Sequence, residues 1–490
     1  MQQVTRLPPL AVAAGGASLG ELAQLLEGVR VSRALSQPAQ CELAFAGEQA
    51  SEVAAALAPG TDLKVSVGAH EDELFSGAVT ATEWEQTPER TLVVRVRAYD
   101  RLHRLRQSQR LQTYTDVSVE GLASQLAGDA GLSVEAARSG PTWRRVIQHR
   151  RSDLELLADL ALRAGLYLDL DGDRLRLFGL DGLGDRVALE LGRSLLEARI
   201  ALNSDPAVGS VEAAGWDLSR IEPHTGAASG DSRAEPADRA TLLNLVAPTD
   251  EHATAAAQGE LDRRAAGALT LWGLAEGDPA LRPGVTVGLS GTAADGDYVL
   301  TSVVHTLDTR LGFVSEVSSA PPSGPARDDA AVITVGRVSS VDDPDGIGRV
   351  TVELAAYGGV ESDWLGIVSA GAGSGKGYVA MPDVEDLVLV ALSHMDPSQG
   401  VVLGGLYGGA GPFDAGVDGG HVRRFSFRTP GGQTLVFDDE RKTLRLEDAQ
   451  GSALELAGDA VLLSAKTDLT IEAPGRSIKI RSSSVDFETA

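Results

Sequence analysis

Residues 370–377 read Ala-Gly-Ala-Gly-Ser-Gly-Lys-Gly, one position away from a phosphate-binding P-loop. That chemistry needs a hydroxyl after the lysine to ligate magnesium, and position 377 is Gly. It also needs a helix N-terminus behind the loop, whereas 378–382 reads as a strand. A flexible inter-strand loop is the simpler reading. Asp342-Asp343-Pro344-Asp345-Gly346 resembles a fragment of a calcium loop, but Leu354 stands where a bidentate glutamate would be required. A turn before the first strand of its domain is expected instead. The eight histidines, at 70, 103, 149, 224, 252, 305, 394 and 421, show no ligand spacing, and no Gly-x-Ser-x-Gly elbow is present. The single cysteine, Cys41, excludes an internal disulfide and a thiolate zinc site. The expectation is therefore no catalytic residue, no cofactor and no metal.

The residues that do recur are apolar. Over the last sixty or so positions, pairs spaced two apart return as Phe425/Phe427, Leu435/Phe437, Leu444/Leu446, Leu454/Leu456, Val461/Leu463, Leu469/Ile471, Ile478/Ile480 and Val485/Phe487. Their step is seven to ten residues, with turn formers such as Gly431-Gly432, Asp438-Asp439, Gly451, Gly458 and Pro474-Gly475 between them. Period two marks half-buried strands, and a strand every eight or nine residues marks a stack of short rungs. One chain has nothing thick enough to cover such a stripe. Three copies around a common axis would bury it, so these sixteen side chains are predicted to form the core of a trimeric needle. Ser483, Ser484, Asp486, Glu488 and Ala490 would form its tip platform.

The rest of the composition agrees with a β-rich protein. The chain has 490 residues, enough for three or four domains, with 43% hydrophobic residues to build their cores and only 4% aromatics. Its net charge of −26 argues against nucleic acid or an anionic membrane as partner, since both reward a basic surface. No export signal and no membrane-spanning segment are read in the sequence. The expectation is a protein made in the cytoplasm that becomes part of an assembled particle and is delivered outward.

Strand patterns occupy 40–45, 62–67, 74–77 and 91–100. Helical spacing follows over 119–130 and 153–164, the second with Ser152-Asp153 as its cap and Gly165 at its end. A hairpin pairs 166–170 with 174–178 around Asp171-Gly172-Asp173. A second β-rich body covers 181–320, with an exposed polar loop near 221–240, and a Pro/Ser/Gly linker at 320–326 precedes a compact strand-rich block.

That block carries Gly348-Arg349-Val350-Thr351-Val352, Ser362-Asp363-Trp364, the glycine-rich loop, Met381-Pro382-Asp383, Met395-Asp396-Pro397 and Val401-Val402-Leu403-Gly404-Gly405-Leu406-Tyr407. In this order it resembles the oligonucleotide/oligosaccharide-binding (OB) fold of contractile-injection spikes, the valine–glycine repeat (VgrG) and phage baseplate hub–spike family. Tyr99-Asp100-Arg101-Leu102-His103-Arg104-Leu105, Gln148 to Leu154 and Gly215-Trp216-Asp217 resemble further family motifs upstream, so the likeness runs through nearly the whole chain. Two positions depart: Glu385-Asp386 stands where Gly-Asp is usual, and Ser393-His394-Met395-Asp396-Pro397 replaces a Gly-Asp-Pro turn.

The resemblance implies a mainly β protein with tandem hub β-barrels, a small α/β insert, an OB-fold collar and an intertwined trimeric β-helix or β-prism needle. The boundaries read as 1–105 for the first barrel, 106–180 for the insert, 181–325 for the second barrel, 331–410 for the OB domain, 411–424 for a linker and 425–490 for the spike. It further implies a homotrimer that docks on a hexameric inner-tube protein, contacts baseplate proteins and seats a PAAR-like tip protein at its C-terminus. Two barrels in each of three subunits present six similar surfaces, which reconciles a trimer with a hexameric ring. The alternative is a phage-type spike with a lysozyme-like, wall-degrading domain. About fifteen residues separate the OB block from the needle and the sequence given stops after the last rung, so no room for such a domain is read here.

Overall fold

The computed structural model describes residues 8–88, 90–218, 222–230, 239–323 and 331–488. Positions 324–326 of the linker and positions 221 and 231–238 of the polar loop lie outside the described residues. The chain forms two units that divide after Leu406.

In the first unit, strand Leu26–Ala34 lies between Gln40–Ala46 and Ser302–Asp308, with Val31 opposite both Cys41 and His305. This seam joins strands from 1–105 and from 181–325 into one eleven-stranded sheet. The period-two pattern sets its faces: Val29, Val31, Leu43, Phe45, Val94 and Val96 are buried, while Arg97 meets Glu42 and Arg95 meets Glu85 on the outer face. Two cores lie behind it, one around Phe45, Val65 and Phe75 and one around Leu195, Leu271, Val287 and Val317. Leu307 and Phe313, from the second half of the chain, pack into the first core. His305 is buried at the seam, its Nε2 donating to the Leu281 carbonyl (3.1 Å) and its Nδ1 accepting from the Ser315 hydroxyl (2.8 Å). Burial pushes its pKa down to about 3, so it serves as a neutral, satisfied core group.

The insert contains the two expected helices, Val119–Asp129 and Asp153–Arg163. Ser152 and Glu155 close a full capping box on the second, and the hairpin pairs Tyr167–Asp171 with Arg174–Phe178. A further helix, Asp250–Ala268, was not anticipated among the β elements. Its buried stripe is Ala253, Ala257 and Leu261, so its two faces differ little in hydrophobicity and the pattern is faint. It packs where the backbones of Gly259 and Gly165 meet; a Cβ on Gly259 would lie 2.6 Å from the Gly165 Cα. The region near 221–240 is also less loop-like than expected, because Glu222–Ser229 and the strand beginning at Ala240 flank Ser210–Asp217 in one sheet.

The OB block orders its six strands as Val360–Glu361, Thr351–Leu354, Val332–Ser340, Leu387–Leu392, Gly400–Leu406 and Gly366–Ile367. Val338, Val352, Val388, Val390, Leu392 and Val402 fill its interior. The acidic turn follows the first strand rather than preceding it, since Val332–Ser340 already begins the sheet. Residues 378–382 form no strand; they belong to an exposed excursion between Ile367 and Leu387. Both departures from the family pattern keep a left-handed backbone: Glu385 at φ 74°, His394 at φ 53° and Met395 at φ 55°. Glycine would adopt these angles without strain, so side chains here sit at a conformational cost.

The acidic turn has an electrostatic task. Arg349 is 1% exposed, and its guanidinium reaches Asp343 (2.6 and 3.1 Å) and Asp345 (2.7 Å). Those hydrogen bonds hold the Asp343 carboxyl far below the usual range. A depressed folded pKa contributes stability that is present above the unfolded value near 4 and is lost as pH falls below it. Replacing Arg349 with Leu leaves two carboxylates around a missing cation and should cost about 3–5 kcal/mol, measured by urea unfolding of the full chain at pH 7. The deficit should shrink on acidification towards pH 3, when the orphaned carboxylates are protonated.

Candidate assembly interface

In the second unit, strands Arg424–Arg428, Thr434–Asp438, Thr443–Glu447, Ala453–Leu456 and Val461–Ser464 form an antiparallel meander. Their register aligns the apolar pairs. Phe425, Phe437, Leu444, Leu456 and Val461 stand opposite one another as one column, and Phe427, Leu435, Leu446, Leu454 and Leu463 as a second. Both columns share a face, because directly paired residues project from the same side of a sheet. Phe425 remains 63% exposed and Val461 71%, so the chain itself does not cover this face.

The opposite face is mostly polar, with Val436, Ala453 and Leu462 set among charged and hydroxyl side chains. Arg445 bridges Glu447 (3.0 Å) and Glu455 (2.6 Å), and these bonds raise the arginine's pKa and lower that of Glu447. Turn chemistry fixes the register. Asp438 accepts the amides of Glu440 (3.0 Å) and Arg441 (2.8 Å), and Asp448 accepts those of Gln450 (2.9 Å) and Ser452 (2.8 Å). A one-residue slip would move both columns onto the charged face.

The expected ladder stops at Ser464. Leu469, Ile471, Ile478, Ile480, Val485 and Phe487 are exposed on 465–488, which pairs with no other strand of this chain among the described residues. The Pro474-Gly475 turn does form, with the Arg476 amide on the Ala473 carbonyl (2.9 Å). Strand backbone needs partners for its N–H and C=O groups and a cover for its apolar side, and within one chain these residues have neither. Ser483, Ser484, Asp486 and Glu488 are exposed at the end of this segment, and Ala490 lies outside the described residues.

The first unit holds a different feature, which the sequence reading missed. A cleft of about 430 Å³ opens where the insert, the 207–268 lobe and the OB block meet. His149, His224 and His394, far apart in sequence, all line it. Two of its carboxylates are held by arginines: Asp159 lies between Arg151 (2.7 Å) and Arg163 (2.8 Å), and Asp363 is paired with Arg144. Arg150 and His149 pack on the Tyr357 ring at 5.4 and 5.0 Å. Among the described residues no group of three His, Cys, Asp or Glu side chains could hold a metal. The arrangement ties the insert to the OB block through ion pairs and ring contacts. Its one sequence signal is the basic run His149-Arg150-Arg151 just before the capped helix.

A double-lobed β hub, an OB block and an apolar strand face together define a protein built for assembly. Comparisons with known proteins place it. Residues 12–309 match the Alg8 N-terminal domain, and residues 334–407 match the Type VI secretion system/phage-baseplate injector OB domain. No curated protein matches the sequence. The fold is similar to VgrG in the half-lidded Francisella PdpA–VgrG complex, with 8% identity, a TM-score of 0.54 and coverage of 93% of this chain and 88% of that one. It is also similar to the E. coli c3393 protein, described as a type VI secretion component resembling bacteriophage T4 tail proteins gp27 and gp5. That match has 14% identity, a TM-score of 0.52 and coverage of 78% of this chain and 96% of that one. With more than half its length in the first match, this chain belongs to the Alg8 N-terminal domain family; a Type VI/phage-baseplate injector OB domain follows, and the whole has a VgrG-like fold.

Where the meander begins, Arg424 forks onto Asp414 (2.9 and 3.0 Å), which also accepts the Gly416 amide (2.8 Å). The hydrogen bond from Arg424 pulls the Asp414 carboxyl down to about 2. A lowered pKa makes this link intact above the ordinary carboxylate range and lost as pH falls towards 2. Hydrogen exchange over 410–428, corrected for intrinsic rates, should show protection at pH 4 that declines progressively as pH falls through about 2. Asp414→Asn should show the same loss at pH 7.

Proposed function

We propose that this chain is the structural central spike of a contractile injection system. It caps the inner tube with its hub and pierces the target envelope with its C-terminal needle when the sheath contracts. The single observation that carries this reading is the pair of five-residue apolar columns on one open face of the meander. In a chain of net charge −26, such a face can be kept out of water only by an equally apolar surface, and copies of itself supply one. Three meanders closing around an axis would bury Phe425 to Leu463 at its centre. They would also give residues 465–488 strand partners from neighbouring chains. Closure leaves few free edges to unravel under load.

The hub supports the second half of the reading. Two cores lie behind one sheet joined at the Leu26–Ala34/Ser302–Asp308 seam, and in this reading each would present one tube-facing surface. Three copies could thus meet a hexameric tube ring. Contacts with other baseplate proteins would lie around the hub, and a PAAR-like tip protein would sit on 482–490.

Leu446→Asp together with Leu456→Asp places two carboxylates per chain at the shared axis. The double variant should lose trimers completely by light scattering while the hub keeps its fold by circular dichroism; a surviving trimer would remove these columns from the core. The same reading assigns no wall-degrading chemistry to the chain. Purified protein should leave peptidoglycan turbidity unchanged, and clearing would favour the lysozyme-bearing alternative.

A further inference from the structure

Strand Leu387–Leu392 reads Leu-Val-Leu-Val-Ala-Leu, apolar at every position. A strand of an antiparallel barrel with one wetted face alternates apolar and polar residues, because only one side faces the core. Here Val388, Val390 and Leu392 are fully buried in the OB interior, so Leu387, Leu389 and Ala391 point outward. The neighbouring strand Val332–Ser340 inverts the expected pattern. Thr334 and Gly336 face inward, while Ile333 and Val335 face outward at 62% and 45% exposure.

Cross-strand register makes these one surface. Ile333 stands beside Ala391 and then Val401; Val335 stands beside Leu389 and then Gly404, with no side chain to interrupt the patch. A third row ends the apolar zone with Arg337, Leu387 and Leu406. Arg337 is the only charge in the three rows, and it is already occupied by Glu385 (3.3 Å). Nothing in the fold of the OB core requires this side to be apolar. The core would be equally filled with Thr or Lys at 333, 335, 387 and 389.

We infer that this outer OB face packs against a second copy of the same chain, so that the subunit seam begins in the OB collar. The inference rests on the proposed trimer and names a surface of it outside the needle. Three observations select a copy of the chain as the occupant. First, copies that each carry −26 repel over most of their surface, and this face lets them approach without setting like charges together. Second, strand Gly400–Leu406 leads within seventeen residues to Arg424, the first residue of the meander. Copies held by that segment therefore present their OB faces to one another at high effective concentration. Third, the size fits a dependent contact. Three rows on three strands measure roughly 14 by 20 Å, about 300 Å². An independent interface needs about 800 Å² per partner, so this face needs the needle to bring it together.

The test uses thiol protection in the full-length chain. Cys41 is fully buried, so an introduced cysteine is the accessible one. Val335→Cys and Ser374→Cys, the latter on the exposed glycine-rich loop, are labelled with a polyethylene-glycol maleimide in purified protein whose mass is checked by sedimentation. The expected result is a trimer in which Cys at 335 reacts at least tenfold more slowly than Cys at 374, with equal rates after denaturation. In the Leu446→Asp/Leu456→Asp background the protection at 335 should vanish. Equal rates in an intact trimer would overturn the OB seam and leave the needle reading standing. Protection that persists in a monomer would also overturn it, by showing that the chain covers the face itself. A monomeric Val335→Cys and Ser374→Cys protein would overturn both.

Discussion

An apolar strand face that its own chain cannot cover is the constraint on which the rest depends. Ten side chains in two aligned columns are held on one side by hairpin register, and the opposite side is committed to the Arg445–Glu447–Glu455 network. Flipping the sheet is therefore no remedy, since it would bury three charges in place of the columns. Folding the meander on itself is barred by its short turns and five strands. Association is the remaining way to remove that surface from water, and the strong negative charge elsewhere makes association selective for matched apolar faces.

The first unit is held together by pairing between distant stretches of chain. The seam between Leu26–Ala34 and Ser302–Asp308 makes one continuous sheet from two of them. The insert is tied to the OB block by Arg144 to Asp363 and by His149 and Arg150 to Tyr357. Inside the OB block the buried Arg349 cluster fixes the acidic turn. In the proposed reading these many-point attachments would carry load between the parts of the first unit.

Much of this was legible in the chain because it follows from short-range patterns. The period-two pairs from Phe425 to Leu463 gave both strands and face, since alternation determines which side chains align once hairpins close. The N-cap at Ser152-Asp153 and the hairpin of 166–170 with 174–178 were readable for the same reason. What escaped depended on partners far away in sequence. Helix Asp250–Ala268 hides its buried side in alanines, whose weak hydrophobicity leaves little periodic signal. The cleft gathers His149, His224 and His394 from three separate regions, which no spacing rule reveals. Residues 378–382 form a short apolar run with no strand neighbour among the described residues, and the segment after Ser464 likewise has none within this chain. Glu385 and Met395, which stand where the family pattern has glycine, both hold the left-handed angles that glycine favours.

Native mass spectrometry of the unaltered full-length chain addresses the central claim most directly. The account predicts a species of three times the 50.9 kDa chain mass, with no appreciable monomer at micromolar concentration. A single 50.9 kDa species under the same conditions would contradict it, because the two apolar columns would then stand open in water.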